Sequence, residues 1–263
     1  MSGPSFQSLT LPLLSAWLNG RHLLDLSAID PKPADRAQGY AAQKALFDAT
    51  GDVAIGWKIA ATSKAGQQHI GVSGPLAGRL LASRRLPPGA QVSLANNLMR
   101  VMEPEFAFRM GSDVLAMGDK PLEMAQVMSH VQDLHLAIEL PDSRYEDFVH
   151  VGEAMLLADF ACANLLVLGE PVTHPWRALD LSQHAVQVQR HGTVVAQGSG
   201  ANVLGDPRLG LTWLANELIS HGMHLRKGDT VITGTCVVPV PLNEGDDMLA
   251  DFGALGTIGV QLI

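Results

Sequence analysis

Hydrophobic positions in this chain follow two periods, a helical one that dominates the N-terminal segment and a two-residue one that takes over afterwards. Residues 9–18 form an apolar run that ends at Asn19-Gly20, which predicts a short helix. Residues 35–50 predict a second helix: Pro33 precedes it, alanines fill it, Tyr40, Ala41, Lys44 and Phe47 share a face, and Gly51 stops it. Residues 53–61 read as a strand, and Thr62 and Ser63 can cap a short helix over 64–70. The Gly-, Pro-, Ser- and Arg-rich stretch 71–88 reads as loop with at most one short strand.

Residues 97–110 alternate as a strand does, 121–130 read as a helix, 133–140 as a strand and 152–168 as a buried helix. After that the texture is mostly strand. Residues 185–190 and 193–198 form a hairpin pattern turning at His191-Gly192, a helix at 207–221 interrupts, and strands follow at 230–233, 247–252 and 257–262. Strands and helices do not alternate regularly, which predicts an α+β chain: a helical N-terminal segment, 1–52, leading into a mixed strand-rich core, 53–263.

Composition narrows the function classes. Of the 263 residues, 47% are hydrophobic and 17% charged, enough to bury a sizeable core and too few charges for disorder. Eighteen basic residues against 26 acidic ones give a formal charge of −8, the wrong sign for a nucleic-acid or anionic-membrane partner. Residues 1–14 lack the basic start of a signal peptide, and the greasiest segment, 154–168, is too short and too polar to span a bilayer, so a cytoplasmic protein is expected. Cys162 and Cys236 lie in apolar contexts and read as buried thiols rather than a bridge.

The sharpest chemical feature is Met102-Glu103-Pro104-Glu105-Phe106-Ala107-Phe108. On a strand Glu103 and Glu105 share one face while Phe106 and Phe108 take the other. Two carboxylates side by side suit a hard divalent cation; a solvated strand face with two ordinary acids would read the same. Glu139 ends a second apolar strand beside the loop Pro141-Asp142-Ser143-Arg144, where sites are commonly assembled, or where it meets solvent or Arg144. Lys58, between Trp57 and Ile59 in mid-strand, is either a buried proton-transfer group or a snorkelling edge residue. Thr233-Gly234-Thr235 can present backbone N–H groups to a carboxylate, or simply turn a hairpin. Asp159 reads as a capped or paired buried acid and Cys162 as packing. Glycine loops for nucleotides, nucleophile elbows and zinc spacings are missing from the sequence.

Taken in order, Gly56-Trp57-Lys58-Ile59, Thr62-Ser63-Lys64, Gly71-Val72, Glu103-x-Glu105-x-Ala107-Phe108, Glu139 with Arg144, Ala158-Asp159, Thr233-Gly234-Thr235 and Gly245-Asp246 resemble the 2-keto-4-pentenoate hydratase and 4-oxalocrotonate decarboxylase group of the fumarylacetoacetate hydrolase superfamily. The resemblance runs from about residue 35 to the C-terminus. It implies a rolled mixed β core with flanking helices and Mg²⁺ or Mn²⁺ held by Glu103, Glu105 and Glu139. It further implies proton transfer by Lys58, and substrate contacts from Ser63, Thr233, Gly234 and Thr235. A 2-oxo or 2-enol acid is the implied substrate, with homo-oligomers and other enzymes of a catabolic pathway as partners. Water addition to a 2-hydroxy-2,4-dienoate leads the implied activities. A decarboxylase of a 2-oxo dioic acid, an acylpyruvate hydrolase and a non-catalytic 2-oxo-acid-binding protein are the alternatives. Two departures stand out: Leu76-Ala77 follows Pro75 where the group usually carries Asp, and Phe160, Ala161, Cys162 and Ala163 replace its usual polar residues. No Glu/His pair of a hydrolase lid accompanies His22.

Overall fold

The computed structural model describes residues 6–20, 22 and 25–263. In chain order the elements are α1 (Gln7–Asn19), α2 (Arg36–Thr50), β1 (Ala54–Ala60), α3 (Lys64–His69), β2 (Leu76–Leu81), β3 (Arg85–Leu86), β4 (Gln91–Val92) and β5 (Val101–Met110). They continue with α4 (Met124–Ser129), β6 (Val131–Leu140), α5 (Glu153–Ala158), β7 (Leu165–Pro171), β8 (Ala185–Arg190), β9 (Thr193–Ser199) and α6 (Pro207–Ser220). Last come β10 (Thr230–Thr235), β11 (Val240–Pro241), β12 (Asp247–Asp251) and β13 (Thr257–Leu262).

Among the described residues the strands form two sheets. The larger runs β2-β1-β10-β5-β6-β7-β3, with β11 added beside β5, and the smaller runs β4-β13-β12-β8-β9. Parallel pairs (β1 with β10, β3 with β7, β4 with β13) sit among antiparallel ones, so the sheets are mixed. This is an α+β chain with a mixed β core and flanking helices, as the sequence predicts. Phe106 and Phe108 on one face of β5 are fully buried, against Phe252 at a ring separation of 5.2 Å and Trp176 at 6.0 Å. A second cluster joins Leu9, Leu13 and Leu46 of the N-terminal helices to Leu80, Phe160 and Ile232 of the core. Arg36 ties α2 to α6 and α5, pairing with Glu217 at 2.6 Å and Glu153 at 2.9 Å, and Tyr40 adds a hydrogen bond to Glu217.

Three expectations need correcting. Residues 152–168 do not make one helix. Helix α5 stops at Ala158, Phe160, Ala161 and Cys162 take φ values of 51°, 49° and 63°, and the remainder becomes β7. An apolar run buried on every side has the same pattern in a helix and in a central strand, so periodicity alone cannot separate them. The stretch 71–88 holds two strands, β2 and β3, not one. The buried stripe of α2 is Gly39, Tyr40, Ala42, Gln43 and Leu46, which leaves Ala41 and Lys44 exposed, because Gln43 is held inside by the carbonyls of Ala77 and Leu157. Cys162 and Cys236 are free, buried thiols, as expected.

Candidate active site

Strands β5 and β6 pair antiparallel with Glu103 opposite Glu139 and Glu105 opposite Ala137. Alternation then puts all three glutamates on one face, and their ligand atoms lie within 4.8 Å of one another. Like charges directly opposite on a sheet destabilise it, so this register needs a compensating cation. One comes from the protein. Lys58 Nζ lies 3.2 Å from Glu139 Oε1, both residues almost wholly buried. In sheet order β1 is three strands from β6, ~14 Å across a flat sheet. A lysine side chain cannot reach that far, so the contact reports how strongly the sheet curls.

Glu105 is set by a bulge in β10. Pairing with β5 shifts register between Ile232 and Thr235, and Gly234 sits there at φ 110°. Its N–H turns inward and donates to Glu105 Oε2 at 2.6 Å. A Cβ on Gly234 would meet Thr62 Oγ1 at 2.4 Å, so both the backbone angle and the space require glycine. On the other side of Lys58, Gly78 of β2 is its register partner, and a Cβ there would meet the Phe160 carbonyl oxygen at 1.8 Å. That close approach brings the Phe160–Cys162 turn against the lysine strand.

The substrate-contact residues expected from the resemblance divide. The Thr233 hydroxyl donates to the Phe106 carbonyl at 3.1 Å, and the residue is buried away from the cavity. The Gly234 N–H is taken by Glu105, and the Thr235 hydroxyl donates to the Val237 carbonyl at 2.8 Å. The Thr-Gly-Thr turn is therefore a brace for Glu105 rather than a free anion nest. Ser63 lines the cavity and also caps α3, accepting from Gly66 N at 3.0 Å.

Burial raises the carboxyls. Glu103 is raised despite the pull of Lys58, and Glu105 lies well above the usual carboxylate range through burial and the charges of Glu139 and Glu103. Glu139 is pushed up to about 7, burial outweighing Lys58. Burial alone would lower the Lys58 ammonium, but Glu139 and Glu103 overcome it and the net shift is upward. Without a metal ion Lys58 is thus protonated at neutral pH. The Cys162 thiol is pushed up to about 12 by burial and Asp159, so it is neutral and unsuited to nucleophilic attack.

A divalent cation fits these donors. Glu105 Oε1 and both carboxylate oxygens of Glu139 are buried without a hydrogen-bond partner, the Lys58 approach being an ion-pair contact off the hydrogen-bond line. Buried acceptors of this kind are costly unless something positive meets them, and oxygen-only sets select hard cations. Sequence reasoning missed the loop clamp behind Glu139. The Arg144 guanidinium pairs with Asp159, donates to the carbonyls of Ala163 and Asp159 at 2.9 and 2.7 Å, and stacks 4.8 Å from the Trp17 ring. Asp159 is paired, as expected, while Glu139 meets Lys58 rather than Arg144. His22 Nε2 lies 3.2 Å from Asp142, outside the triad.

Comparison with known proteins places the chain in a family. The fumarylacetoacetate (FAA) hydrolase C-terminal family matches residues 81–263. The 2-keto-4-pentenoate hydratase of Burkholderia vietnamiensis is 31% identical over 258 residues, 97% of this chain and 96% of the relative. The 4-oxalocrotonate decarboxylase of a Pseudomonas species is 28% identical over 216 residues, 82% of this chain and 80% of the relative. Among solved structures, the 4-oxalocrotonate decarboxylase from Pseudomonas putida complexed with magnesium and adipate superimposes with a TM-score of 0.86 at 26% identity, over 97% of this chain and 96% of that one. No described helix is long and apolar enough to cross a membrane.

Proposed function

Because the chain belongs to the fumarylacetoacetate hydrolase family, we propose that it is a divalent-metal-dependent hydro-lyase adding water to a 2-hydroxy-2,4-dienoate to give a 4-hydroxy-2-oxo acid, in the catabolism of aromatic compounds. The observation that carries this reading is the meeting of two buried carboxylates and a half-buried third with one buried ammonium beside a cavity of about 710 Å³. Glu103, Glu105 and Glu139 would hold Mg²⁺ or Mn²⁺. When bound, such an ion supplies Lewis acidity for the negative charge that gathers on the substrate's carboxylate and 2-oxygen.

The remaining chemistry falls to the chain's own residues. Lys58 lines the cavity and, as an ammonium, would deliver a proton to the far carbon of the dienol and take back the 2-hydroxyl proton, which leaves a conjugated 2-oxo acid. Water then adds across that double bond, its hydroxyl to C4 and its proton to C3. Glu139 fixes the ammonium, and Gly234 fixes Glu105. Ser63 lines the cavity beside them and would orient the acid. Assembly into homo-oligomers, residence in the cytoplasm and a helical segment 1–52 ahead of a catalytic 53–263 belong to the same reading.

Decarboxylation of a 2-oxo dioic acid is the second reading, favoured by the TM-score of 0.86 to the decarboxylase. The cavity speaks against it, since among the described residues Lys58 is the only lysine and no arginine lines it to receive a second carboxylate. The deciding experiment incubates Mg²⁺-loaded protein with 2-hydroxydienoates and with 4-oxalocrotonate. Water addition to the monoacids supports the proposal, and CO₂ release alone replaces it with the decarboxylase. Lys58→Met should lower turnover at least ~100-fold while metal binding persists. Near-full activity in that variant would remove the lysine from the chemistry.

A further inference from the structure

A cavity of about 710 Å³ lies within the range of ~300–1,000 Å³ that holds drug-sized ligands, far more than a five-carbon acid fills. Its polar groups collect at one end. Lys58 and Glu103 belong to the reactive cluster, and Thr62 abuts Gly234, whose N–H serves Glu105. Ser63, Thr235 and Asn202, whose amide donates to the Cys236 carbonyl, adjoin them, and the rest of the wall is largely hydrocarbon, with Ile70, Leu76, Phe148, Leu156, Val237 and Val238 all lining it. Leu76 stands one strand over from Lys58, on β2. Val238 is 79% exposed, so the apolar lining continues out to the surface of the protein. Among the described residues the imidazole of His69, exposed, is the one other basic group on the lining.

We infer that this wall is a subsite for a hydrocarbon tail. The substrate carries an alkyl or aryl group on the end of the dienoate remote from the acid, and a carboxylate in that position is rejected. The head-group chemistry rests on the hydratase reading; the tail preference rests on the wall alone. Each methylene moved from water onto such a wall improves binding roughly fourfold. A distal carboxylate would lose its hydration with no cation to replace it, which should weaken binding at least ~100-fold against a methyl-terminated tail of equal length.

The test uses the Mg²⁺-loaded full chain and unreactive saturated 2-oxo acids, from pyruvate to 2-oxooctanoate, together with 2-oxo dioates of matching length. Calorimetry should show affinity rising roughly fourfold per methylene, with the dioates far weaker. A flat series, or dioates binding as well as the alkyl acids, would overturn the subsite. Turnover of 2-hydroxydienoates with hydrogen, methyl, propyl and phenyl ends is measured in parallel. Silence there, with tail-dependent binding intact, removes the hydratase reading and leaves the subsite standing. Turnover without tail dependence does the opposite. Phe148→Ala, checked for folding by near-ultraviolet circular dichroism, should lose about tenfold in affinity for 2-oxooctanoate and nothing for pyruvate. An equal loss across the series, or none, counts against the wall; if the variant fails to fold, the wild-type series decides alone.

Discussion

Glu105→Gln separates the service the triad performs from what it costs the fold. Glu105 is almost wholly buried, its carboxyl is raised well above the ordinary range by burial and by Glu139 and Glu103, and it does not touch Lys58. Glutamine keeps an oxygen to accept the 2.6 Å hydrogen bond from Gly234 N–H and loses only the charge. Two ionised carboxylates at the triad's separation of up to 4.8 Å repel by about 3 kcal/mol at an effective dielectric near 20. A group whose folded pKa is raised binds protons more tightly in the native state, so its ionisation destabilises the fold as pH rises from the unfolded value toward the folded one. The metal-free variant should therefore match the wild type near pH 5 and exceed it at pH 8 by about 2–3 kcal/mol, roughly 5 °C in melting temperature. With Mn²⁺ present the order reverses, because the wild type gains stability from binding and the variant does not. Urea titrations of chelator-treated and Mn²⁺-loaded protein at both pH values make the measurement. A variant less stable than the wild type at pH 8 without metal, or one with wild-type Mn²⁺ affinity, would refute the reasoning.

Gly234→Ala forces a Cβ to 2.4 Å from Thr62 Oγ1 and strains a residue at φ 110°, so Mn²⁺ affinity measured by calorimetry should fall at least ~10-fold, with Thr62→Ala in the same chain recovering part of it. Asp159→Ala leaves the Arg144 guanidinium buried without its carboxylate, and urea unfolding should show a loss of about 3–5 kcal/mol. Glu139 is pushed up to about 7 in the metal-free protein, so protons compete with the ion below that pH. Mn²⁺ affinity should fall by about tenfold or more per unit there, since Glu103 and Glu105 are raised as well, with proton release visible as a buffer-dependent binding enthalpy.

Much of the site could be read without coordinates because it is written in local patterns. Glu103 and Glu105 announce themselves by two-residue alternation against Phe106 and Phe108, and Glu139 by ending an apolar strand. Most of the longer strands and the 191–192 hairpin follow from the same signal, whereas β7 and the two-residue strands β3, β4 and β11 do not. What stayed hidden depends on distance in sequence. The register that sets Glu103 opposite Glu139 is a property of two strands together, and the Lys58–Glu139 contact exists only because the sheet curls. The break after Ala158 is imposed by the Asp159–Arg144 clamp and the left-handed turn that follows, neither of which alters the hydrophobic pattern. Thr233-Gly234-Thr235 reads equally as a turn that offers N–H groups to a carboxylate or as a plain hairpin turn, and pattern alone does not show that the Gly234 N–H serves Glu105 while the two hydroxyls donate to the Phe106 and Val237 carbonyls.

The charge at the site and the packing behind it form one argument. Three glutamates and one lysine sum, when all are ionised, to −3 + 1 = −2, the charge that a divalent cation cancels. Such a cluster could not persist by its own interactions, since each carboxyl is driven upward in pKa and would escape the others if the strands could shift. They cannot shift cheaply. Moving β5 by one residue would exchange its faces, carrying Phe106 and Phe108 out of their contacts with Phe252 and Trp176 and driving Glu103 and Glu105 into the core. Burying two large aromatic side chains is worth about 2–3 kcal/mol each, enough to offset the repulsion estimated for one carboxylate pair. The apolar face of β5 therefore holds its acidic face in a register that metal-free electrostatics opposes, and the acids stay poised to exchange protons for a metal ion.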